Sequence, residues 1–173
     1  MKIVLISDTH GFLDQRLEKY FAWCDEIWHA GDFGPGVSEY LIKSNKKYRG
    51  VIGNIDSRNI IHDFPIDLVF EINKLKVFMT HIGGYPGAYK PGVIRKLKDI
   101  KPDLFICGHS HIVKVQKDQE LNLIHLNPGA VGNHGFHKMK TFLKFEIEEK
   151  KIDKLELVEL GLMSDISSIN LIE

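Results

Sequence analysis

Residues 3–11 have the sequence IVLISDTHG, in which a short apolar run ends directly in a group of polar side chains. The run Ile3–Ile6 consists of β-branched residues and leucine, which predicts a buried strand. The polar group contains Asp8 and His10, two residue types that commonly bind divalent metals. Ligands of open α/β sheets bind beyond the carboxyl ends of the strands, so this position predicts a functional site.

The same arrangement recurs after four further apolar runs. The predicted strands at 26–30, 48–52, 77–80 and 104–107 are followed by Gly31-Asp32, Gly53-Asn54-Ile55-Asp56, His81 and Gly108-His109-Ser110-His111. A single Asp or Asn at such a place is more often a helix cap or a turn former. Five strand ends that all carry such side chains argue against coincidence, and we expect them to meet at one edge of a sheet.

The pattern of apolar residues elsewhere places these strands in a mixed fold. Helical spacing predicts helices at 12–23, 37–44 and 92–98, and the strand–helix alternation of the first third predicts a parallel sheet. Strand pairs follow at 68–72 with 77–80 and at 112–116 with 123–126, and alternating residues from Leu143 to Leu157 predict a final antiparallel pair. Residues 161–173 show no pattern. No repeat or linker appears, so we expect one domain over 1–173.

Composition restricts the classes of function. The chain has 173 residues, of which 43% are hydrophobic, and its 23 Lys and Arg balance 23 Asp and Glu. Zero net charge disfavours broad binding of nucleic acid through the phosphate backbone. Apolar runs are too short for a signal peptide or a membrane span, so a cytoplasmic protein is expected. Cys24 and Cys107 lie in apolar segments and are predicted to be reduced core thiols.

The donor types at the strand ends point to hard or borderline divalent metals. Carboxylate oxygens and imidazole nitrogens without thiolate suit Mn²⁺, Fe, Zn²⁺ or Ni²⁺ better than a soft thiophilic metal. Two divalent ions are expected, with Mn²⁺ first and Ni²⁺, Fe, Zn²⁺ or Mg²⁺ as alternatives. Two metals that share one bridging carboxylate need about seven donors, and such pairs activate water for displacement at phosphorus. The seven candidate ligands are Asp8, His10, Asp32, Asn54, His81, His109 and His111.

The order of these motifs resembles that of the calcineurin-like metallophosphoesterase superfamily. Its pattern is D-x-H, G-D, G-N-x-D/E, H and G-H-x-H, and all five occur here in that order between residues 3 and 132. The stretch Asn127-Pro128-Gly129-Ala130 is similar to the N-P-G-S turn of the small, single-domain bacterial and archaeal phosphodiesterases. The resemblance implies an α/β (α+β-like) fold in which two sheets form a sandwich flanked by helices, an αββα architecture.

The resemblance also implies a ligand assignment and a reaction. Asp32 would bridge two metals, with Asn54 and His81 as further catalytic residues, and a metal-bridging hydroxide would attack a small phosphate ester. One metal would be held by Asp8, His10, Asp32 and His111, and the other by Asp32, Asn54, His81 and His109. A phosphodiesterase is expected. A phosphomonoesterase or nucleotidase is the second reading, because the metal ligands do not separate the two.

A protein-interaction scaffold is the non-enzymatic alternative. A eukaryotic retromer subunit resembles this fold but has lost ligand histidines, whereas all four are present here, which argues for catalysis. Homo-oligomers are common among relatives, although no stretch of this sequence demonstrates one. Many family members also carry His after the motif Asn, where this chain has Ile55. Since an apolar side chain cannot protonate a leaving group, we expect modest activity that favours good leaving groups, with His134 and His137 as weak substitutes.

Several further residues are candidates for supporting roles. The Gly- and Pro-rich loop 82–92 leaves directly from His81, and its Tyr85, Tyr89 and Lys90 are expected either to face the substrate or to pack as an ordinary surface loop. Phosphate contacts are considered for Thr9, Ser110 and Asn127. Asp56 is expected either to hydrogen-bond a ligand His or to form a turn. Structural roles are expected for His29, His62 and His125.

Overall fold

The computed structural model describes residues 1–56, 63–165 and 167–172, and two five-stranded sheets dominate it. The first sheet has the order β12-β11-β1-β2-β3, and its strands are β1 (Lys2–Ile6), β2 (Glu26–His29), β3 (Lys47–Gly50), β11 (Met139–Glu148) and β12 (Lys151–Leu162). Strands β1, β2 and β3 are parallel, whereas β11 pairs antiparallel with both β1 and β12. The predicted parallel start and antiparallel end therefore belong to one sheet.

The second sheet has the order β4-β5-β8-β10-β9. Its strands are β4 (Asp67–Ile72), β5 (Leu75–Thr80), β8 (Leu104–Ile106), β9 (Val113–Asp118) and β10 (Leu123–Pro128). A small hairpin, β6 (Gly84–Tyr85) and β7 (Ala88–Tyr89), occupies the loop after β5. The central strands β5, β8 and β10 are parallel, so their carboxyl ends meet at one edge.

The two sheets pack face to face and are covered by helices on their outer faces. Ile3 and Leu5 of β1 point into the core between the sheets, where Met79 and Ile106 of the second sheet meet them. The outer face of the first sheet is covered by α1 (Glu18–Trp23) and α2 (Val37–Lys43), and that of the second by α3 (Pro91–Ile100). This arrangement confirms the predicted αββα sandwich. It also explains why Ile3–Ile6 is continuously apolar, because β1 is buried on both faces.

The first helix is shorter than the predicted 12–23. The amide of Phe12 donates to Thr9 O at 2.9 Å, and a 3₁₀ turn over Gln15–Leu17 precedes α1. The carboxylate of Asp14 caps that turn by accepting from the amide of Arg16 at 3.0 Å. Helical spacing upstream of residue 15 therefore reflected apolar contacts of a turn and not of a helix.

The C-terminal segment, in which no periodic pattern was found, packs against the segment before α1. The amide of Gln15 donates to Ile169 O at 2.8 Å, that of Leu171 donates to Leu13 O at 2.7 Å, and Asn170 Oδ1 accepts from the amide of Leu13 at 2.9 Å. These contacts join sequence positions about 155 residues apart, which local periodicity does not report. None of the helices in the described part of the chain is long and apolar enough to cross a membrane.

A buried ion pair connects the same segment to β11. Lys140 has no exposed surface, and its Nζ donates to Asp14 Oδ2 and to Ser168 Oγ, both at 2.9 Å. Arg16 approaches the Asp14 carboxylate from the other side through two donors, at 2.8 and 2.6 Å. Burial alone would raise the pKa of Asp14, but the hydrogen bonds from Arg16 and Lys140 outweigh it and lower the pKa to about 2.

The two thiols lie in the core as expected. Cys24 and Cys107 are both free and buried. Burial raises the pKa of the Cys24 thiol to about 11 and that of Cys107 to about 12. Both side chains are therefore protonated at neutral pH and unreactive as nucleophiles.

Candidate metal centre

The fold brings the predicted ligands to one edge of the sandwich. Ligand atoms of Asp8, His10 and His111 all lie within 4.8 Å of one another, and the same is true of Asp32, His81 and His109. The first group joins the ends of β1 and β8, and the second joins the ends of β2, β5 and β8. Each group therefore combines residues from both sheets.

Asp32 belongs to the second group but also approaches the first. Its Oδ2 is 3.3 Å from His81 Nε2 in one group and 3.8 Å from His10 Nε2 in the other. The remaining predicted ligand, Asn54, has its Oδ1 3.2 Å from His81 Nε2. A carboxylate in this central position can serve both groups at once, which is the geometry expected of a bridging ligand.

Five of the seven predicted ligands adopt a left-handed backbone that non-glycine residues rarely adopt. These are Asp8, His10, Asp32, His109 and His111, whose φ angles lie between 48° and 68°. This conformation costs about 1–2 kcal/mol per residue and persists where surrounding contacts hold it. The amide of Asp8 donates to Gly31 O at 3.0 Å, and that of His10 donates to Asp32 O at 3.1 Å. The tight turns direct the side chains inward directly after each strand.

His81 has one ring nitrogen fixed and the other available. Its Nδ1 lies 2.8 Å from Ala30 O, and since a carbonyl oxygen only accepts, Nδ1 carries the proton. The other nitrogen, Nε2, faces Asp32 and Asn54, and it carries a lone pair whenever the ring is neutral. Burial lowers the pKa of His81, but the carboxylates of Asp32 and Asp8 outweigh burial and the net pKa is raised. A divalent cation would take the place of that second proton.

The surroundings of the Asp8 carboxylate indicate whether a cation fits the first group. The side chain has no exposed surface, and Oδ1 has no hydrogen-bond partner among the described residues. This oxygen is 3.2 Å from His111 Nε2, while Oδ2 accepts from the amide of His109 at 3.1 Å. An unpaired buried carboxylate oxygen is costly in a protein interior, and coordination of a cation would satisfy it. Burial also lowers the pKa of His10, against the pull of both carboxylates. The donor set thus fits divalent metals.

Asp56 supports the site through the backbone. Its carboxylate accepts from the amides of Asp32 and Gly34, both at 3.1 Å, and from the amide of Gly53 at 2.7 Å. Of the two roles expected for it, the turn is therefore observed, and the hydrogen bonds go to amides instead of a ligand His. Gly53 is required by close approach, because a Cβ there would lie 2.0 Å from Asp32 Oδ1.

Thr9 is corrected from a substrate contact to a structural residue. It has no exposed surface, and its Oγ1 lies 2.8 Å from Phe33 O and 2.9 Å from His29 Nε2. The Gly31 amide donates to His29 Nδ1 at 3.1 Å, so Nε2 carries the proton and donates to Thr9 Oγ1. Burial lowers the pKa of His29 to about 3, which keeps the ring neutral. Both side chains hold the loop after β2 in place.

In the loop 82–92 the two tyrosine side chains pack against the protein, whereas Lys90 is exposed. The rings of Tyr85 and Tyr89 lie 6.2 and 5.9 Å from that of His125, and both hydroxyls are buried. Neither tyrosine lines a cavity that reaches the predicted ligands, whereas Lys90 does. Burial lowers the pKa of His125 to about 4, as expected of a structural His. His62, also predicted to be structural, lies outside the described residues.

Asn127 and Ser110 hold the loop of the G-H-x-H motif. The amide nitrogen of Asn127 donates to Gly108 O at 2.9 Å and to Ser110 Oγ at 3.2 Å. Asn127 is buried, so it supports the loop from below, while the half-buried Ser110 lines the cavity above the ligands. A phosphate contact by Asn127 is therefore corrected to a structural role.

Two cavities open onto the predicted ligands and meet at Asn54. One, of about 560 Å³, is lined by His10, Asp32, Ile55, Ile112, His134 and Phe136 among others. The other, of about 390 Å³, is lined by Asn54, Ile66, His81, Ile82 and Lys90 among others. His134 and His137, considered from the sequence as substitutes for a general acid, do line the larger cavity, whereas Ile112 and Phe136 were missed because no motif marks them.

Comparison with known proteins identifies the family. The model of the calcineurin-like phosphoesterase superfamily domain matches residues 1–150. A predicted phosphoesterase from Streptococcus pneumoniae has a similar structure at 20% identity, with a TM-score of 0.68 over 91% of this chain and 88% of that one. An archaeal phosphodiesterase is similar at 23% identity, with a TM-score of 0.67 over 92% and 100% of the two chains.

Vps29 of Entamoeba histolytica in complex with Zn²⁺ is also similar, at 16% identity and a TM-score of 0.68 over 92% of this chain and 99% of that one. No curated protein sequence matches. At these identities the structural similarities show the fold alone, while the family model covers most of the chain. The chain belongs to the calcineurin-like phosphoesterase superfamily.

Proposed function

We propose that the protein is a phosphodiesterase that depends on two divalent cations, with Mn²⁺ as the preferred metal. The observation that carries this proposal is the position of Asp32 between two groups of ligand atoms. Cations of this kind supply a hydroxide nucleophile near neutral pH and neutralise the charge that develops on the phosphoryl oxygens. Asp8, His10 and His111 would hold one cation, and Asn54, His81 and His109 would hold the other, with Asp32 as the ligand that both share.

Three side chains would have further roles at the reacting phosphate: His81 as a ligand, Asn54 as a hydrogen-bond donor and Asp32 as the shared carboxylate. The Ala30 carbonyl holds one proton of His81 on Nδ1, so Nε2 would provide the lone pair once a cation displaces the second proton. Asn54 directs its oxygen toward His81 Nε2, which leaves its exposed NH₂ group to donate to a phosphoryl oxygen. The buried Asp32 carboxylate would connect the two groups of ligands. The amide of Ile55 donates to its Oδ1 at 3.1 Å and holds it in place.

The paired cavities favour a diester over a monoester. A phosphodiester carries an organic group on each side of the phosphate, and the two cavities extend from the ligand cluster on either side of Asn54. One cavity has exposed apolar side chains at its rim, with Phe136 fully exposed and Ile112 62% exposed. The other is lined in part by the exposed residue Lys90. An apolar or aromatic group on one side and a polar or anionic group on the other would match this asymmetry.

Ile55 bears on the leaving group. Its side chain is 47% exposed and lines the larger cavity, where it cannot donate a proton. Loss of general acid catalysis typically lowers rates about 10²–10⁴-fold, and the loss is greatest for leaving groups of high pKa. Aryl diesters such as bis-nitrophenyl phosphate should therefore react much faster than alkyl diesters. Equal rates for the two would show that another acid acts in this site.

The test combines metal analysis with a substrate screen. Purified protein should bind about two equivalents of Mn²⁺ and hydrolyse bis-nitrophenyl phosphate faster than nitrophenyl phosphate, with cyclic nucleotides and dinucleotides as further substrates. Asp32→Ala should lose both metals because it removes the shared ligand. Asp99→Ala, which removes an exposed carboxylate on α3, is the matched control and should retain both. Absence of bound metal and of turnover with Mn²⁺ or Ni²⁺ would overturn the proposal.

Two alternatives correspond to specific outcomes of the same screen. A preference for nitrophenyl phosphate or nucleoside monophosphates would indicate a phosphomonoesterase. Full metal occupancy without hydrolysis of any ester would favour a protein-interaction role, which the similarity in fold to Vps29 brings into consideration. The four histidines at the predicted ligand positions support catalysis instead, since an interaction surface does not need them.

A further inference from the structure

His137 is joined to a predicted metal ligand through one ring nitrogen and to the backbone through the other. Its Nδ1 lies 3.2 Å from Nδ1 of His111, and its Nε2 lies 3.1 Å from Gly132 O. The two rings are nearly perpendicular, with centroids 5.1 Å apart. The sequence offered His137 as a substitute for a general acid, but the structure places it half-buried and in contact with His111.

We propose that His137 is a positioning residue that holds His111 in the tautomer required for metal binding. The inference rests on the proposed function and concerns the group formed by Asp8, His10 and His111. It assigns to the loop 132–137, which carries no family motif, a part in building the metal site.

The proton positions follow from the donors and acceptors. Gly132 O only accepts, so Nε2 of His137 carries a proton and its Nδ1 has a free lone pair. His111 Nδ1 must then donate to that lone pair. The Nε2 of His111 is left with its lone pair directed at the site, 3.2 Å from Asp8 Oδ1 and 3.4 Å from His10 Nε2. The His111 lone pair and the Asp8 oxygen repel each other at this distance unless a cation lies between them.

The backbone around His137 is shaped for this contact. A Cβ at residue 135 would lie 2.2 Å from His111 Nδ1 and 3.3 Å from His137 Nδ1, so glycine at this position keeps the space between the rings open. The φ of Gly135 is +122°, which also disfavours any other residue. The amide of Gly132 donates to Asp8 O at 3.2 Å, which ties the acceptor of the His137 proton to the end of β1.

The two predicted metal groups differ in the partner that fixes the tautomer of a ligand histidine. His81 of the second group donates to a main-chain carbonyl, that of Ala30, which no side-chain substitution removes. His111 of the first group depends on a side chain that can be replaced. Partners that fix a ligand His typically change metal affinity about 10–100-fold when they are removed. Substitution of His137 should thus weaken one metal site and leave the other unchanged.

The test measures metal binding directly. Titration of metal-free protein with Mn²⁺ by calorimetry should show His137→Ala with one site weakened about 10–100-fold and the other unaltered. His137→Asn should recover part of the affinity, because its Oδ1 can still accept from His111 Nδ1. Asn133→Ala is the matched control, since it removes an exposed polar side chain of the same loop, and it should bind both metals as the wild type does.

A second readout reports the tautomer itself. Long-range ¹H–¹⁵N spectra of the metal-free wild type should show the proton of His111 on Nδ1, and His137→Ala should shift it partly to Nε2. Two unchanged binding steps for folded His137→Ala, with an unchanged His111 tautomer, would overturn the role of His137 and leave the proposed function intact. A wild type that binds no metal would instead overturn the proposed function.

Discussion

Asp56→Ala probes how the site is supported without touching a predicted ligand. The carboxylate accepts three amide protons, those of Asp32, Gly34 and Gly53, at 3.1, 3.1 and 2.7 Å. Hydrogen bonds to a charged group contribute about 1.5–3 kcal/mol each, so their sum sets an upper limit of about 5–9 kcal/mol. Asp56 is only half-buried, so water can satisfy some of these amides after the substitution. The free energy of unfolding should therefore fall by about 2–4 kcal/mol.

The same substitution should weaken metal binding, because the amides of Asp32 and Gly53 would no longer be held by one group. Urea denaturation of the metal-free protein, followed by circular dichroism, gives the stability, and calorimetric titration with Mn²⁺ gives the affinity. Asp56→Asn keeps the shape of the side chain but offers one acceptor oxygen in place of two. Its free energy of unfolding should fall by at least half as much as that of Asp56→Ala. Asp99→Ala controls for the loss of a carboxylate. A change in unfolding free energy of Asp56→Ala below about 0.5 kcal/mol, with unchanged metal affinity, would refute this reasoning.

Four further predictions rest on other contacts. Asp14→Ala leaves the buried Lys140 ammonium without a carboxylate and should destabilise the protein by about 3–5 kcal/mol in urea denaturation. Since the folded pKa of Asp14 is about 2 against 3.8 in the reference state, its contribution is complete above pH 4 and is lost as the pH falls toward 2, so acid titrations of Asp14→Asn should be flatter there. Ile55→His should accelerate hydrolysis of alkyl diesters by about tenfold or more and leave aryl diesters nearly unchanged, as measured by product release. Gly53→Ala should weaken Mn²⁺ binding at least about tenfold in calorimetry, because its Cβ would collide with Asp32 Oδ1.

The family and the list of candidate ligands could be predicted from the sequence because both depend on local order along the chain. Apolar runs followed by polar residues mark where strands end, and strand ends of a parallel sheet meet at one edge whatever lies between them. The same logic predicted most strand positions within two residues. It failed at residues 12–14, where apolar spacing typical of a helix belongs to a turn capped by Asp14.

Only the tertiary structure decided which polar residues serve the site and how. Thr9 lies within the D-x-H motif and Asn127 begins the N-P-G turn. Both side chains are buried, however, and donate hydrogen bonds to backbone carbonyls of neighbouring loops. His137 lies 26 residues from His111 and in no motif, yet the return of the chain after β10 brings the two imidazoles together. Hydrogen bonds depend on directions and on distances of about 3 Å, and positions far apart in the chain acquire these only when both sheets are packed. Sequence order thus determines which donors reach the edge of the sandwich, whereas folding determines which nitrogen or oxygen of each one faces a metal.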